Sequence, residues 1–228
     1  SSLKKIGTPK KINISEYKKV KKPHFSQVIS PTLHPLEEIY RALQLGISDY
    51  FRKTGFTKAI VGLSGGIDSS LTACIATDAL GEKNVVGISM PTRFSSEGSV
   101  TDAKALANKL GIEFKVIPID NLFSSYLSIL KPMFSKMKPD VTEENIQTRI
   151  RGNILMALSN KFNWLVLSTG NKSEYATGYC TLYGDMAGGF SVLKDIPKTL
   201  VYELSGWRNQ SGKPNNPIPK SVIDKPPS

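Results

Sequence analysis

Four short, nearly continuous apolar runs recur along the chain: KAIVGLS (58–64), NVVGISM (84–90), EFKVIPI (113–119) and NWLVLST (163–169). Between them lie segments of helical period, IDSSLTACIATDAL (67–80), VTDAKALANKLG (100–111) and ENIQTRIRGNILMALSNKF (144–162). Strands apolar on both sides must be covered on both faces, and strands separated by helices must run parallel. The alternation therefore predicts an α/β fold: a doubly wound parallel sheet with helices on both faces. A further helix precedes the first strand, with Leu36, Ile39, Tyr40, Leu43, Ile47, Tyr50 and Phe51 on one face and Gly55 as the stop. At 228 residues the chain can bury one sizeable core. Residues 1–35 hold breakers and no sustained period, so they read as a basic arm or linker, with the globular domain over 36–228. KPMFSKMKPDVTEEN (131–145), broken by Pro132 and Pro139, reads as a loop, either a mobile cover over a site or a plain surface connection.

Charge narrows the function classes. The net charge of +11 draws heavily on lysines in the tails, Lys4, Lys5, Lys10, Lys11, Lys18, Lys19, Lys21 and Lys22 at one end and Lys220 near the other. They fall among Pro and Ser rather than along one helix face, which points to solvated tails and not to a nucleic-acid surface. No apolar run approaches the roughly 20 residues that span a bilayer, and no hydrophobic signal opens the chain, so no membrane contact and a cytoplasmic location are expected. Cys74 and Cys180 have no metal-ligand spacing and are expected to be reduced. Both histidines, His24 and His34, lie in the arm, so neither a histidine base nor a Ser/His/Asp set is expected in a catalytic site.

VGLSGGIDSS (61–70) places a strand end against a helix start. Gly65 and Gly66 let backbone N–H groups turn inward, Ser64, Ser69 and Ser70 add hydroxyls, and the helix dipole favours an anion, so phosphate is the natural guest. Neither the Walker A spacing nor the Rossmann glycine spacing is present. Asp68 stands where a phosphate-binding loop would carry lysine; a Mg²⁺ bridging it to a nucleotide polyphosphate accounts for that choice. The alternative is a tight turn with Asp68 serving only as a cap.

SGGIDSS resembles the SGGxDS signature of the ATP pyrophosphatases, which cleave ATP between its α and β phosphates. Together with PTRFSSEGSVTDAKALANKLGI, TEENIQTRIRGNILM, LSTGNKSEYATGYCTLYGDMAGGFSVLKDIPKTLVYEL and GWRN, it resembles the NAD synthetases, more narrowly the synthetase domain of the glutamine-dependent type. The likeness covers residues 36–228 and implies an adenine nucleotide alpha hydrolase-like fold. The activity implied is adenylation of nicotinic acid adenine dinucleotide (deamido-NAD) by ATP, followed by displacement of AMP by ammonia.

The resemblance also implies site residues. Leu63 to Ser70, including Ile67, would hold ATP with Thr169, Lys198, Arg93 and Ser228, Arg93 by stacking on adenine or as a mere rim charge. Asn145, Arg149, Arg151, Glu174, Asp185 and Lys194 would meet deamido-NAD. The catalytic set would be Asp68, Glu174, Asp185 and Lys198. If NWLVLST lies beside KAIVGLS, Glu174 reaches the crevice of Asp68, where it could share a metal or contact substrate; the alternative reading is a helix-start carboxylate. The partners implied are a glutaminase domain in the full-length chain and further copies in a homo-oligomer, the present sequence reading as truncated at both ends. A tRNA-modifying ATP pyrophosphatase, or a folded but inactive structural fragment, is the alternative.

Overall fold

The computed structural model describes residues 10–14 and 31–225. Two compact units divide the chain, residues 1–32 and 33–228; in the first, residues 10–14 are exposed and in neither helix nor strand. All that follows concerns the second.

α1 (Pro35–Thr54) has Pro at its start, Glu37 and Glu38 in the first turn and a left-handed Gly55 at its end, the asymmetry a helix with free ends favours. β1 (Ala59–Gly62) and α2 (Ile67–Leu80) follow, then β2 (Val85–Ser89), α3 (Glu97–Leu110), β3 (Glu113–Val116), α4 (Asp120–Phe134) and α5 (Val141–Phe162). After β4 (Leu165–Ser168) come α6 (Lys172–Thr177), the two-residue β5 (Phe190–Ser191), α7 (Lys198–Ser211) and α8 (Lys220–Asp224). The strands form one sheet in the order β3-β2-β1-β4-β5, every pair parallel.

Alternation along the strands separates two cores. Ala59, Val61, Val85, Leu165 and Leu167 point to one face and meet side chains of α1, α2, α3 and α7, among them Ile47, Leu71, Leu106 and Leu204. Ile60, Val86, Ile88 and Val166 point to the other and meet Phe123 of α4 and Ile146, Ile150 and Leu155 of α5. The expected sheet covered on both faces is thus present. Cys74 is fully buried, which pushes its thiol up to about 12; Cys180 is half-buried, and both are free.

The loop expected over residues 131–145 requires a correction. Residues 131–134 close α4 and 141–145 open α5, leaving only a short connection between them. Pro132 sits in the last turn of α4, where the helix has almost no length left to lose by its missing N–H. Asp140 then starts α5 with a capping box, accepting from Thr142 N at 2.8 Å while Glu143 Oε2 accepts from Asp140 N at 2.8 Å. Among the described residues no helix is long and apolar enough to cross a membrane.

Candidate active site

β1 lies between β2 and β4, so the strand order reverses at the β1/β4 boundary, and the crevice beyond the carboxyl ends of those strands is where such a sheet takes ligands. The segment after β1 turns into α2 through Gly65, whose φ of +78° is left-handed. A Cβ there would lie 2.7 Å from Ser99 Cα and also on Ser99 O, so glycine is required by conformation and by space at once. Gly65→Ala is expected to destabilise the protein by about 2–4 kcal/mol, from the left-handed residue plus displacement of the α3 backbone, measured by denaturant unfolding. An unchanged midpoint would contradict this packing.

Gly66 caps α2 in an extended conformation with no side-chain cap, which leaves the positive end of the helix open to an anion. The serines brace the turn: Ser69 Oγ lies 3.2 Å from Ser64 Oγ and donates to Gly66 O at 3.0 Å, while Ser70 Oγ donates to the same carbonyl at 2.8 Å. As placed, Ser69 and Ser70 fix the loop from within, and Ser64 is the hydroxyl that lines the cavities.

Asp68 is the centre of the polar cluster. Its Oδ1 accepts from Asn171 Nδ2 at 2.8 Å and its Oδ2 forms an ion pair with Lys198 Nζ. Asn171 is 0% exposed, and it also starts α6 with a capping box: its Oδ1 accepts from Glu174 N and Glu174 Oε2 accepts from Asn171 N, both at 3.0 Å. One buried amide therefore ties the loop after β4 to the first turn of α2. Sequence reading missed Asn171; the N-x-x-E spacing of NKSE (171–174) is the capping-box signal that marks it.

Glu174 is half-buried, and desolvation raises its carboxyl above the ordinary glutamate range, with the charges of Asp68 and Asp185 adding to the rise. The folded protein thus keeps that proton over an interval in which the unfolded chain has lost it, so stability falls as pH rises through the interval. Glu174→Gln keeps an acceptor for Asn171 N and removes the charge. Its melting temperature at neutral pH should equal or exceed that of the parent, with a shallower decline as pH rises from the acidic side; a marked drop would mean that the charge is needed for the cap.

Asp185 accepts from Thr181 N at 2.6 Å, and Thr181 Oγ1 donates to Asn145 Oδ1 at 2.6 Å. Arg149 Nε donates to Leu182 O at 3.2 Å, so Asn145 and Arg149 hold the loop that carries Asp185. Arg151 lies on another side of α5 and donates to Met90 O at 3.1 Å; burial lowers its guanidinium from the usual value.

Two cavities meet along Ser64, Ser95 and Ser99. The larger, about 420 Å³, lies over the ends of β1, β2 and β4 and is lined by Leu63, Met90, Arg151, Thr169 and Asp185 among others. The smaller, about 360 Å³, lies at the start of α2 and is lined by Gly66, Ile67, Asp68, Lys198 and Lys225. A chamber lined by apolar side chains together with hydroxyls, Arg151 and Asp185, joined to a second one at a helix start, suits a nucleoside joined to phosphates. Arg93 lines neither; its guanidinium is bonded to Asp120 Oδ1 at 3.0 Å and Ser124 Oγ at 2.7 Å. Lys194 is exposed and lines neither, and Ser228 lies outside the described residues.

Among the described residues no group of three or more His, Cys, Asp or Glu could hold a metal alone. Mg²⁺ rarely uses such a cage; it is held by one or two carboxylates with substrate phosphates, and Asp68 on the wall of the smaller cavity fits that pattern.

The chain matches the NAD synthase family over residues 39–228. The glutamine-dependent NAD(+) synthetase of Thermotoga maritima is 57% identical over 208 residues, 91% of this chain and 36% of the relative. A glutamine-dependent NAD+ synthetase from Acinetobacter baumannii, solved in complex with ADP, superposes with a TM-score of 0.84 at 48% identity, over 87% of this chain and 38% of that one. The NH3-dependent NAD synthetase of Campylobacter jejuni superposes with a TM-score of 0.73 at 30% identity, over 83% of this chain and 77% of that one. The chain spans about a third of the length of the curated relatives it matches.

Proposed function

The chain belongs to the NAD synthase family, and on that footing we propose that it performs the synthetase reaction: ATP-dependent adenylation of deamido-NAD and amidation of the adenylate by ammonia. The observation that carries this reading is the join between the two cavities at the start of α2, with Asp68, Asn171 and Lys198 on the phosphate side. The adenosine of ATP occupies the larger cavity between Thr169 and Met90, and its phosphates run toward the open helix start.

The nicotinate carboxylate of deamido-NAD forms a bond to the α-phosphorus, the bond from that phosphorus to the bridging oxygen breaks, and pyrophosphate leaves with the electron pair. The amides of residues 65–69 and the Lys198 ammonium meet the negative charge that gathers there. Mg²⁺, when bound, supplies further positive charge at the phosphates, with Asp68, and Glu174 as a second acid, as its protein ligands. Ammonia then adds to the acyl carbon, AMP departs, and Asp185, on the wall of the larger cavity, takes the proton that the new amide sheds. Asn145, Arg149 and Arg151 act on the deamido-NAD side, the first two by setting the Asp185 loop.

In this reading a glutaminase domain of the full-length protein supplies the ammonia, the assembly is a homo-oligomer, and its place is the cytoplasm. The test is product analysis with deamido-NAD, ATP, Mg²⁺ and ammonium chloride: NAD, AMP and pyrophosphate in equal amounts support the proposal. ADP and phosphate in their place would overturn it.

A further inference from the structure

We infer that Lys225 is the second cation of the polyphosphate subsite and the group that receives the pyrophosphate as it leaves, an inference that rests on the synthetase reading above. The smaller cavity has three charged side chains on its wall, Asp68, Lys198 and Lys225. Asp68 and Lys198 already form an ion pair, with their side chains only 16% and 25% exposed, so their charges largely cancel before any ligand arrives. A polyphosphate carries several negative charges, and the charge left to meet it on the wall is that of Lys225.

Lys225 stands at a fixed place although its side chain is exposed. It follows α8, which is held by buried Val222 and by Ser221 Oγ donating to Asp102 Oδ1 of α3 at 2.7 Å. The Lys225 carbonyl accepts from Tyr202 Oη at 3.4 Å, and Tyr202 lies one turn beyond Lys198 in α7, its ring centroid 5.9 Å from Lys198 Nζ. Lys225 Nζ donates to Ser99 Oγ at 3.3 Å. Ser99 is the residue whose backbone lies against Gly65, so the ammonium is parked beside the phosphate-binding turn on a long, neutral hydrogen bond. A phosphate oxygen offers a shorter, charge-assisted bond in exchange. When the bond between the α-phosphorus and the bridging oxygen breaks, the charge moves away from the larger cavity and onto the β and γ phosphates, the part of ATP that the smaller cavity would hold. Lys198, paired with Asp68, meets the phosphates from the side of the turn, and Lys225 adds the uncompensated charge that receives the leaving group.

The test is calorimetric titration of this chain, wild type, Lys225→Ala and Lys225→Arg, with AMPCPP, pyrophosphate and AMP, each with Mg²⁺. The alanine variant is expected to weaken AMPCPP and pyrophosphate about tenfold or more and to leave AMP unchanged, with arginine restoring most of the loss. Equal weakening of all three ligands, or no weakening of pyrophosphate, would overturn the assignment of Lys225 while leaving the synthetase reading intact. Failure of the wild type to bind AMPCPP or AMP would overturn that reading and this inference with it. Unchanged melting temperatures for both variants confirm that the comparison is of folded proteins.

Discussion

Asp68→Asn is expected to lower NAD formation on the order of 10²–10³-fold, the scale seen when one preorganised electrostatic contact is removed from a developing charge. The substitution is nearly isosteric. Its carbonyl oxygen can still accept from Asn171 Nδ2, now 2.8 Å from Asp68 Oδ1, so the tie between α2 and the loop after β4 persists. Lost are the ion pair with Lys198 and the charged oxygen that would hold Mg²⁺ against the phosphates. Lys198 is then free to bind phosphate more tightly in the ground state. The loss should accordingly appear in kcat, with a higher Mg²⁺ requirement and little change in melting temperature. A fall in stability with catalysis intact in the remaining folded protein would return Asp68 to the role of a helix-start cap.

Arg208→Ala should produce the largest loss of stability, about 3–5 kcal/mol, because it strands a buried charge. Arg208 is 1% exposed, and its Nε and Nη2 reach Asp78 Oδ2 and Oδ1 at 2.5 and 2.9 Å. Two further bonds run to Pro214 O and Lys213 O, both at 3.1 Å, and Tyr40 Oη donates to Asp78 Oδ2 at 2.6 Å. α1, α2, α7 and the segment before α8 thus meet at one carboxylate–guanidinium pair. Truncation leaves Asp78 with Tyr40 Oη alone and without its counter-charge, and takes Arg208 from two carbonyls, so a chain of this size should melt roughly 10 °C lower by calorimetry. Tyr40→Phe removes one bond and leaves the pair, so its cost should stay near 1 kcal/mol. Similar effects from both substitutions would mean that the pair itself contributes little. Lys198 opens the helix that Arg208 closes, so the pair also fixes the axis along which that lysine reaches Asp68.

The parts of this molecule legible in the sequence are those written in local pattern. β1, β2 and β4 announce themselves as apolar runs because both of their faces are buried, and β3 was equally readable although it lies at the sheet edge, where residues such as Glu113 and Lys115 stay exposed. β5 escaped notice because two residues cannot display a period. α4 is harder to read, because proline and polar residues from 131 onward mark a loop where the helix ends, although Phe123, Leu127 and Leu130 carry the helical spacing that packs it on the second core. The loop into α2 could be read as an anion site because glycine, serine and a helix start each have a local physical meaning. The bond from Asn171 to Asp68, the contact of Lys225 and the Arg208–Asp78 pair could not, since each acts across more than 50 residues of sequence and only the folded chain brings the partners together. The place of Arg93 illustrates the converse: a charge just past a strand end points to a ligand in sequence, but here it is bonded to the first turns of α4.

Whether Asp68 and Mg²⁺ hold the nucleotide is decided by calorimetric titration of the wild-type chain and Asp68→Asn with AMPCPP, with and without Mg²⁺ and deamido-NAD, at physiological salt. Mg²⁺-dependent binding to the wild type, strengthened by deamido-NAD, is expected, with the dependence shifted to higher Mg²⁺ in the variant. Binding that is indifferent to Mg²⁺, to deamido-NAD and to Asp68 alike would contradict it.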